Sequence, residues 1–165
     1  MIDLGILLGH LVGDYIVQND WMAKWKAVHG PGWTTPRPTS TVISSCGYSG
    51  WAAPGTAEDA VAWDAATADG KRGWNACTLH CLLYTAAMWA FSWQWLPLWG
   101  VVACFLTHWI IDRYRLAGVW MRNVSGQSYF ASPEHPMFPW SIVAVDNTFH
   151  LLTMYAIRCI HLYCS

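Results

Sequence analysis

The sequence predicts an all-α, polytopic membrane protein. It has four transmembrane helices, near 2–22, 76–95, 98–115 and 140–163, and one long Gly/Pro-rich cytoplasmic loop. Three observations carry this expectation. The 165-residue chain is 55% hydrophobic and only 12% charged, about half the roughly 25% charged share usual in soluble domains. Its apolar residues gather in four runs, each close to the roughly 17–25 residues that cross a hydrocarbon core. Nine of the 13 tryptophans lie at or near the ends of those runs, as interfacial anchors do. The length suits one membrane domain.

The first run, from Ile2 to Gln18, extends through Trp21 and Met22. It has no basic n-region and no small-residue cleavage site, so it reads as a retained helix rather than a signal peptide. The segment 30–73 is rich in Gly, Pro, Ser and Thr. Pro31, Pro36 and Pro38 forbid a long helix there, leaving room for a short one near 57–67. The runs 76–95 and 98–115 are separated by a few residues around Gln94–Pro97, which predicts a tight antiparallel hairpin. A polar connection, 116–139, carries Pro133, Pro136 and Pro139 before the last run, 140–163.

Charge asymmetry sets an orientation. Lys24 and Lys26 follow the first run, Lys71 and Arg72 precede the second, and Arg113, Arg115 and Arg122 lie between the third and fourth. The hairpin has no charge. The positive-inside rule then places both long loops in the cytoplasm and both termini outside, with Arg158 as a minor dissent. Trp89, Trp93, Trp95 and Trp99 form an outer belt, and Trp21, Trp25, Trp74, Trp120 and Trp140 an inner one. The expected location is a membrane, crossed several times.

Net charge is −1, with no basic patch for nucleic acid and no Lys/Arg cluster of the size that recruits anionic lipid. The six cysteines show no CxxC spacing. Cys77, Cys81 and Cys104 read as small core residues, with soft metal ligation by Cys77 or Cys81 beside His80 as the alternative. Asn123-Val-Ser125 matches a glycosylation motif, but carries no meaning on a cytoplasmic loop.

Function is written in spacing. His10/Asp14, His108/Asp112 and Asp146/His150 each pair a histidine and an aspartate four residues apart, and His80/Tyr84 repeat the interval. Residues i and i+4 share a helix face. An aspartate at a bilayer centre costs roughly 2.5–3.5 kcal/mol on insertion scales, so three such pairs point to a built site. In the predicted topology all of them fall in the cytoplasmic half of the bilayer, at one depth. The expected metal ligands are His10, Asp14, His108, Asp112, Asp146 and His150. His80, Asp14 and Tyr84 are the acid–base candidates, with Gln18 and Asn147 in support. Asp3 is a terminal interfacial residue, or lines the site from outside.

Mixed His/Asp sets suit zinc, manganese or iron, and carboxylate-rich subsets suit magnesium. One ion or two bridged by a carboxylate fits this count. The expected activity is a metal-dependent hydrolase, opening to the bilayer and acting on a phosphate ester or a lipid-linked bond. Arg113 and Arg115 at its mouth attract an anionic headgroup or serve as inside anchors. Two alternatives stand beside it. One is a non-enzymatic proton or ion relay, or a modifier of the host envelope. The other is a structural bundle held by polar interhelical contacts.

The same residues carry a resemblance. HLVGDYIVQNDWMAKWK, LHCLLYT, THWIIDRYRLA and VDNTFHLL resemble, in order and type, blocks of the domain of unknown function 3307 family. These are small bacterial and phage integral-membrane proteins. The match spans more than half of the chain. It places the family's polar positions on His10, Gly13, Asp14, Gln18, His80, Tyr84, His108, Asp112, Asp146 and His150. Many relatives have Gln after the last Asp, where this chain has Asn147. The 30–73 segment is longer and richer in Pro and Gly than the family's connector. The resemblance implies a phage or bacterial inner-membrane protein, with a phage origin favoured by the WMA and DRYRLA forms, and no activity.

Overall fold

The structure, a computed structural model, describes residues 4–26, 71–132, 135–138 and 140–164. The expected loop over 30–70, its short helix near 57–67, Asp3, Cys46 and the side chain of Lys24 lie outside the described residues. The described elements are helices: α1 (Leu4–Leu11), a π-helical turn (Val12–Ile16), α2 (Asp20–Trp25), α3 (Lys71–Ser92), α4 (Leu98–Tyr114), α5 (Leu116–Asn123) and α6 (Trp140–Cys164). The all-α expectation therefore holds for these residues.

The transmembrane expectation does not. No helix among the described residues is long and apolar enough to cross a membrane. The run 2–22 is not one helix. Its α-helical part has 8 residues, about 12 Å of rise. A π turn follows, closed by Val17 N–H donating to Val12 O at 3.0 Å. Asn19 then adopts an extended backbone and its side chain accepts from Met22 N–H, starting α2 afresh. Asparagine is favoured at this capping position because it satisfies one orphan N–H. α4 has 17 residues, roughly 25 Å against a core of about 30 Å. The 22-residue α3 starts on Lys71-Arg72 and carries Thr78, His80 and Thr85 through its middle. The 25-residue α6 carries Asp146, Asn147, His150, Arg158 and His161. The four spans, the multi-pass inner-membrane location and the inside–outside assignment of loops and tryptophans fall with this finding.

Boundaries also differ. α3 begins at Lys71, five residues before the expected 76, so 71–73 is helix rather than loop. The 116–139 connection contains α5. Arg115 separates α4 from α5 in the left-handed conformation, φ 50°, and its N–H donates to Asp112 O and Ile111 O. Ala117, Met121, Ala131 and Ile142 bury a small apolar cluster between α5, the following turns and α6. Ser141 Oγ ties it by donating to Phe130 O at 2.6 Å.

α1 packs on α3, α3 on α4, α4 on α6 and α6 on α1, closing a ring; α2 lies on α3. Down the axis the interior has two layers. Ile6, Met88, Leu96, Cys104, Met154 and Ile157 form an apolar layer with Tyr84 at its edge. The other layer is His10, His80, His108, Asp112 and His150, all buried. Large apolar side chains such as Leu8, Leu82, Val102, Leu106 and Leu152 face outward. The bundle thus draws its ionisable groups inward and leaves much of its apolar surplus outside.

Candidate metal centre

Two glycines bring α1 against α3. A Cβ on Gly9 would lie 2.8 Å from Met88 Sδ and 3.1 Å from Met88 Cα. One on Gly13 would lie 2.5 Å from Tyr84 Cδ2 and 3.2 Å from Tyr84 Cα. Backbone this close tolerates only hydrogen at these positions. The π turn that follows Gly9 adds a residue to the local winding, and such turns recur at functional sites. Here it leaves His10 Nδ1 and Asp14 Oδ2 3.4 Å apart, both facing the interior.

The four helices deliver their side chains to one place. His80 Nε2 lies 3.0 Å from His108 Nε2 and 3.1 Å from Asp112 Oδ2. His108 Nε2 lies 3.4 Å from the same oxygen. Ligand atoms on a tetrahedral zinc with bonds of about 2.0–2.1 Å stand about 3.3 Å apart, so this triangle has the edge lengths of a coordination face. Asp14 Oδ1 is 3.3 Å from His80 Nε2 and 3.5 Å from His108 Nε2. On the other side, His150 Nε2 is 3.4 Å from Asp112 Oδ1 and 3.4 Å from Asp146 Oδ2. Three overlapping groups could hold a metal ion: Asp14–His108–His150, His80–His108–Asp112 and Asp112–Asp146–His150. Asp112 turns one oxygen to each of the last two.

Tyr84 and His150 sandwich the His108 ring, with centroids 3.6 Å and 3.9 Å away and planes within 25°. The stack holds the imidazoles in place. Asp112 Oδ2 is met by the Lys26 ammonium. Among the described residues, Asp14 Oδ1 and His150 Nε2 are buried without a hydrogen bond of normal geometry. A buried polar atom in this condition is costly unless something else satisfies it. Among the described residues, the Nδ1 atoms of His80, His108 and His150 have no hydrogen-bond partner either, where a ligating histidine usually has an orienting acceptor.

His10 stands apart from all three groups. Its Nε2 is 3.2 Å from Asn147 Oδ1, and Asn147 Nδ2 in turn donates to Tyr15 Oη. With the amide oriented this way, Nε2 carries the proton and Nδ1 accepts from Tyr84 Oη at 3.1 Å. Gln18 joins the edge of the site through Lys26, whose ammonium donates to Gln18 Oε1 at 2.8 Å. The described cysteines are in none of the three groups; Cys77 and Cys81 are free thiols with Sγ atoms 4.0 Å apart. The contact with Cys77 and burial push the Cys81 thiol up, away from the thiolate that soft ligation needs.

Burial and charge oppose one another here. Burial pushes His108 down to about 4, with His150 adding to the effect. Burial would also lower His150, but Asp112 and Asp146 beside it hold it up at about 10. Burial would raise both Asp14 and Asp112. The field of His108 and the contact with His80 instead hold Asp14 well below the usual carboxylate range, and Lys26, then His108, do so for Asp112. Burial lowers His10 and raises the Tyr84 hydroxyl.

Sequence reasoning missed two contributors. Lys26 served there only as an orientation charge, yet its Nζ lies 2.9 Å from Asp112 Oδ2. The glycine stripe also went unread, although Gly5, Gly9 and Gly13 recur every four residues, beside the face of the first His/Asp pair. No family model matches this chain, and no curated protein or solved structure is significantly similar to it.

Proposed function

We propose that this protein is a metal-dependent hydrolase of phosphate esters. Its divalent centre would be built from Asp14, His80, His108, Asp112, Asp146 and His150. The observation that carries the reading is the overlap of three groups of ligand atoms, the atoms of each group lying within 4.8 Å of one another, around the buried side chains of His80, His108, Asp112 and His150. The mixed nitrogen and oxygen donors favour zinc, manganese or iron over magnesium. An ion at such a centre supplies an activated water and neutralises charge on a phosphoryl group.

The chain's own residues have separable roles. Asp112 can bridge, with one oxygen toward His80 and the other toward His150. His10 Nδ1, which lies 3.4 Å from Asp14 and 3.1 Å from Tyr84, is placed to take a proton as general base, while Asn147 Oδ1 accepts from Nε2 and fixes the ring. Lys71 and Arg72 are exposed at the start of α3, about two turns from His80, where they favour an anionic substrate.

The test is elemental analysis of purified protein, followed by hydrolysis of p-nitrophenyl phosphate and bis-p-nitrophenyl phosphate. Stoichiometric zinc, manganese or iron, with turnover lost in His108→Ala, is expected. A chelated protein that stays folded and never held metal would end the hydrolase reading.

The Lys26–Asp112 pair favours a second reading, an ionic core that only fixes helix order. Buried pairs of this kind can serve specificity rather than stability. In that case Asp112→Asn combined with His108→Gln changes neither metal content nor any activity.

A further inference from the structure

Lys26 occupies an unusual place for a cation. It caps the C-terminal end of α2, and its side chain is 15% exposed. Its Nζ lies 2.9 Å from Asp112 Oδ2 and 3.5 Å from His80 Nε2. Those are two of the three atoms of the His80–His108–Asp112 group. The backbone beneath is held as well, because Arg113 Nη1 donates to Lys26 O at 3.3 Å. α4 thus supplies both the carboxylate that takes the ammonium and the guanidinium that anchors its main chain.

An ammonium and a divalent ion have incompatible claims on that oxygen. An ion bonded to Asp112 Oδ2 and His80 Nε2 at about 2.0–2.2 Å would stand within about 4 Å of Nζ, where like charges in a protein interior repel strongly. The Asp14–His108–His150 group contains neither atom. In the Asp112–Asp146–His150 group, Asp112 meets His150 through Oδ1, the oxygen that Lys26 does not approach. The conflict therefore falls most directly on one group, although the Lys26 charge also reaches Asp14. Gln18 Oε1, 2.8 Å from Nζ, offers the ammonium an acceptor that is not a ligand.

We propose that Lys26 is an internal cation that competes with a metal ion for the His80–His108–Asp112 group, making it the weaker and more exchangeable subsite of the centre. This rests on the metal-centre reading above. The ion enters this subsite only as the ammonium gives up Asp112 and keeps Gln18. Removing the charge at position 26 then strengthens metal binding, whereas removing a residue that supports a site weakens it.

The experiment is calorimetric titration of the full chain with Zn²⁺, for wild type, Lys26→Gln, Lys26→Met and Lys26→Arg, after chelation. Lys26→Gln keeps a hydrogen-bond donor beside Gln18 without the charge. The expected result is a weaker Zn²⁺ site in wild type that tightens at least tenfold in Lys26→Gln and Lys26→Met. It should be unchanged in Lys26→Arg, and the gain should vanish when Asp112→Asn is added. Unchanged or weakened binding in Lys26→Gln overturns the role of Lys26 while leaving the centre intact. No His108-dependent Zn²⁺ binding in any variant overturns both readings. A measurement on wild type alone guards against variants that do not fold: the rate of reductive methylation at Lys26, read by mass spectrometry, should rise several-fold with Zn²⁺. A constant or slower rate overturns the competition.

Discussion

His80 Nε2 and His108 Nε2 face each other at 3.0 Å in the interior of the bundle, with Asp112 Oδ2 within 3.4 Å of both. Two imidazole nitrogens this close either share one proton or turn both lone pairs to one cation. The carboxylate beside them can serve either arrangement. His108 also belongs to a second candidate group, with Asp14 and His150. With Asp112 and His150, which also belong to two groups each, it is one of the three side chains shared between groups.

That sharing is measurable. His108→Ala removes a donor from two of the three groups, whereas Asp146→Asn touches one. Metal content by inductively coupled plasma mass spectrometry should fall by more than half in the first variant and by less in the second. Equal losses would show that the groups do not overlap as described.

Acid and base should both loosen the chelated protein. His150 is held up at about 10 from 6.5, so its stabilising contribution is complete below pH 6.5 and is lost as pH rises toward 10. His108 is pushed down to about 4 from 6.5; its contribution is complete above pH 6.5 and is lost as pH falls toward 4. Asp14 and Asp112, held below 3.8, add a further loss on stronger acidification. Urea midpoints between pH 3 and 10, in chelator, should peak at roughly pH 6.5. A midpoint that climbs steadily to pH 10 would contradict the His150 environment.

Gly13→Ala places a methyl 2.5 Å from Tyr84 Cδ2 and 3.2 Å from its Cα. Overpacking of this kind costs about 1–3 kcal/mol. It also pushes Tyr84 against His108, so metal affinity should weaken along with the urea midpoint. Gly126→Ala makes a useful contrast. No neighbour lies within 4 Å of its Cβ position, but φ is +69°, so only backbone strain acts and metal affinity should not change.

Arg115→Gly should stabilise. Arg115 is the one non-glycine residue with positive φ among those described, and the left-handed region costs an L-residue roughly 1–2 kcal/mol. The greater freedom of glycine in the unfolded chain offsets part of this, leaving a gain of roughly 0.5–1 kcal/mol in chemical denaturation. A lower midpoint would mean that the arginine side chain contributes more than its backbone conformation costs.

The sequence by itself determined the helical character, the hairpin between α3 and α4 and the faces on which His10, Asp14, His108, Asp112, Asp146 and His150 lie. Each comes from intervals of four along a helix or from a short connection, and these are local properties of the chain. Whether the helices span a membrane was not local. It depended on Asn19 capping a new helix, on a π turn after Leu11, and on polar residues spaced through α3 and α6. Averaging over an apolar run hides all three. Only the tertiary structure decided which side chains meet. Gly9 and Gly13 set the distance between α1 and α3, Asn147 turns His10 aside from the ligand groups, and Lys26 reaches Asp112 across 86 positions of sequence. Partners that far apart are chosen by how helices pack, and no spacing rule along a single chain contains that information.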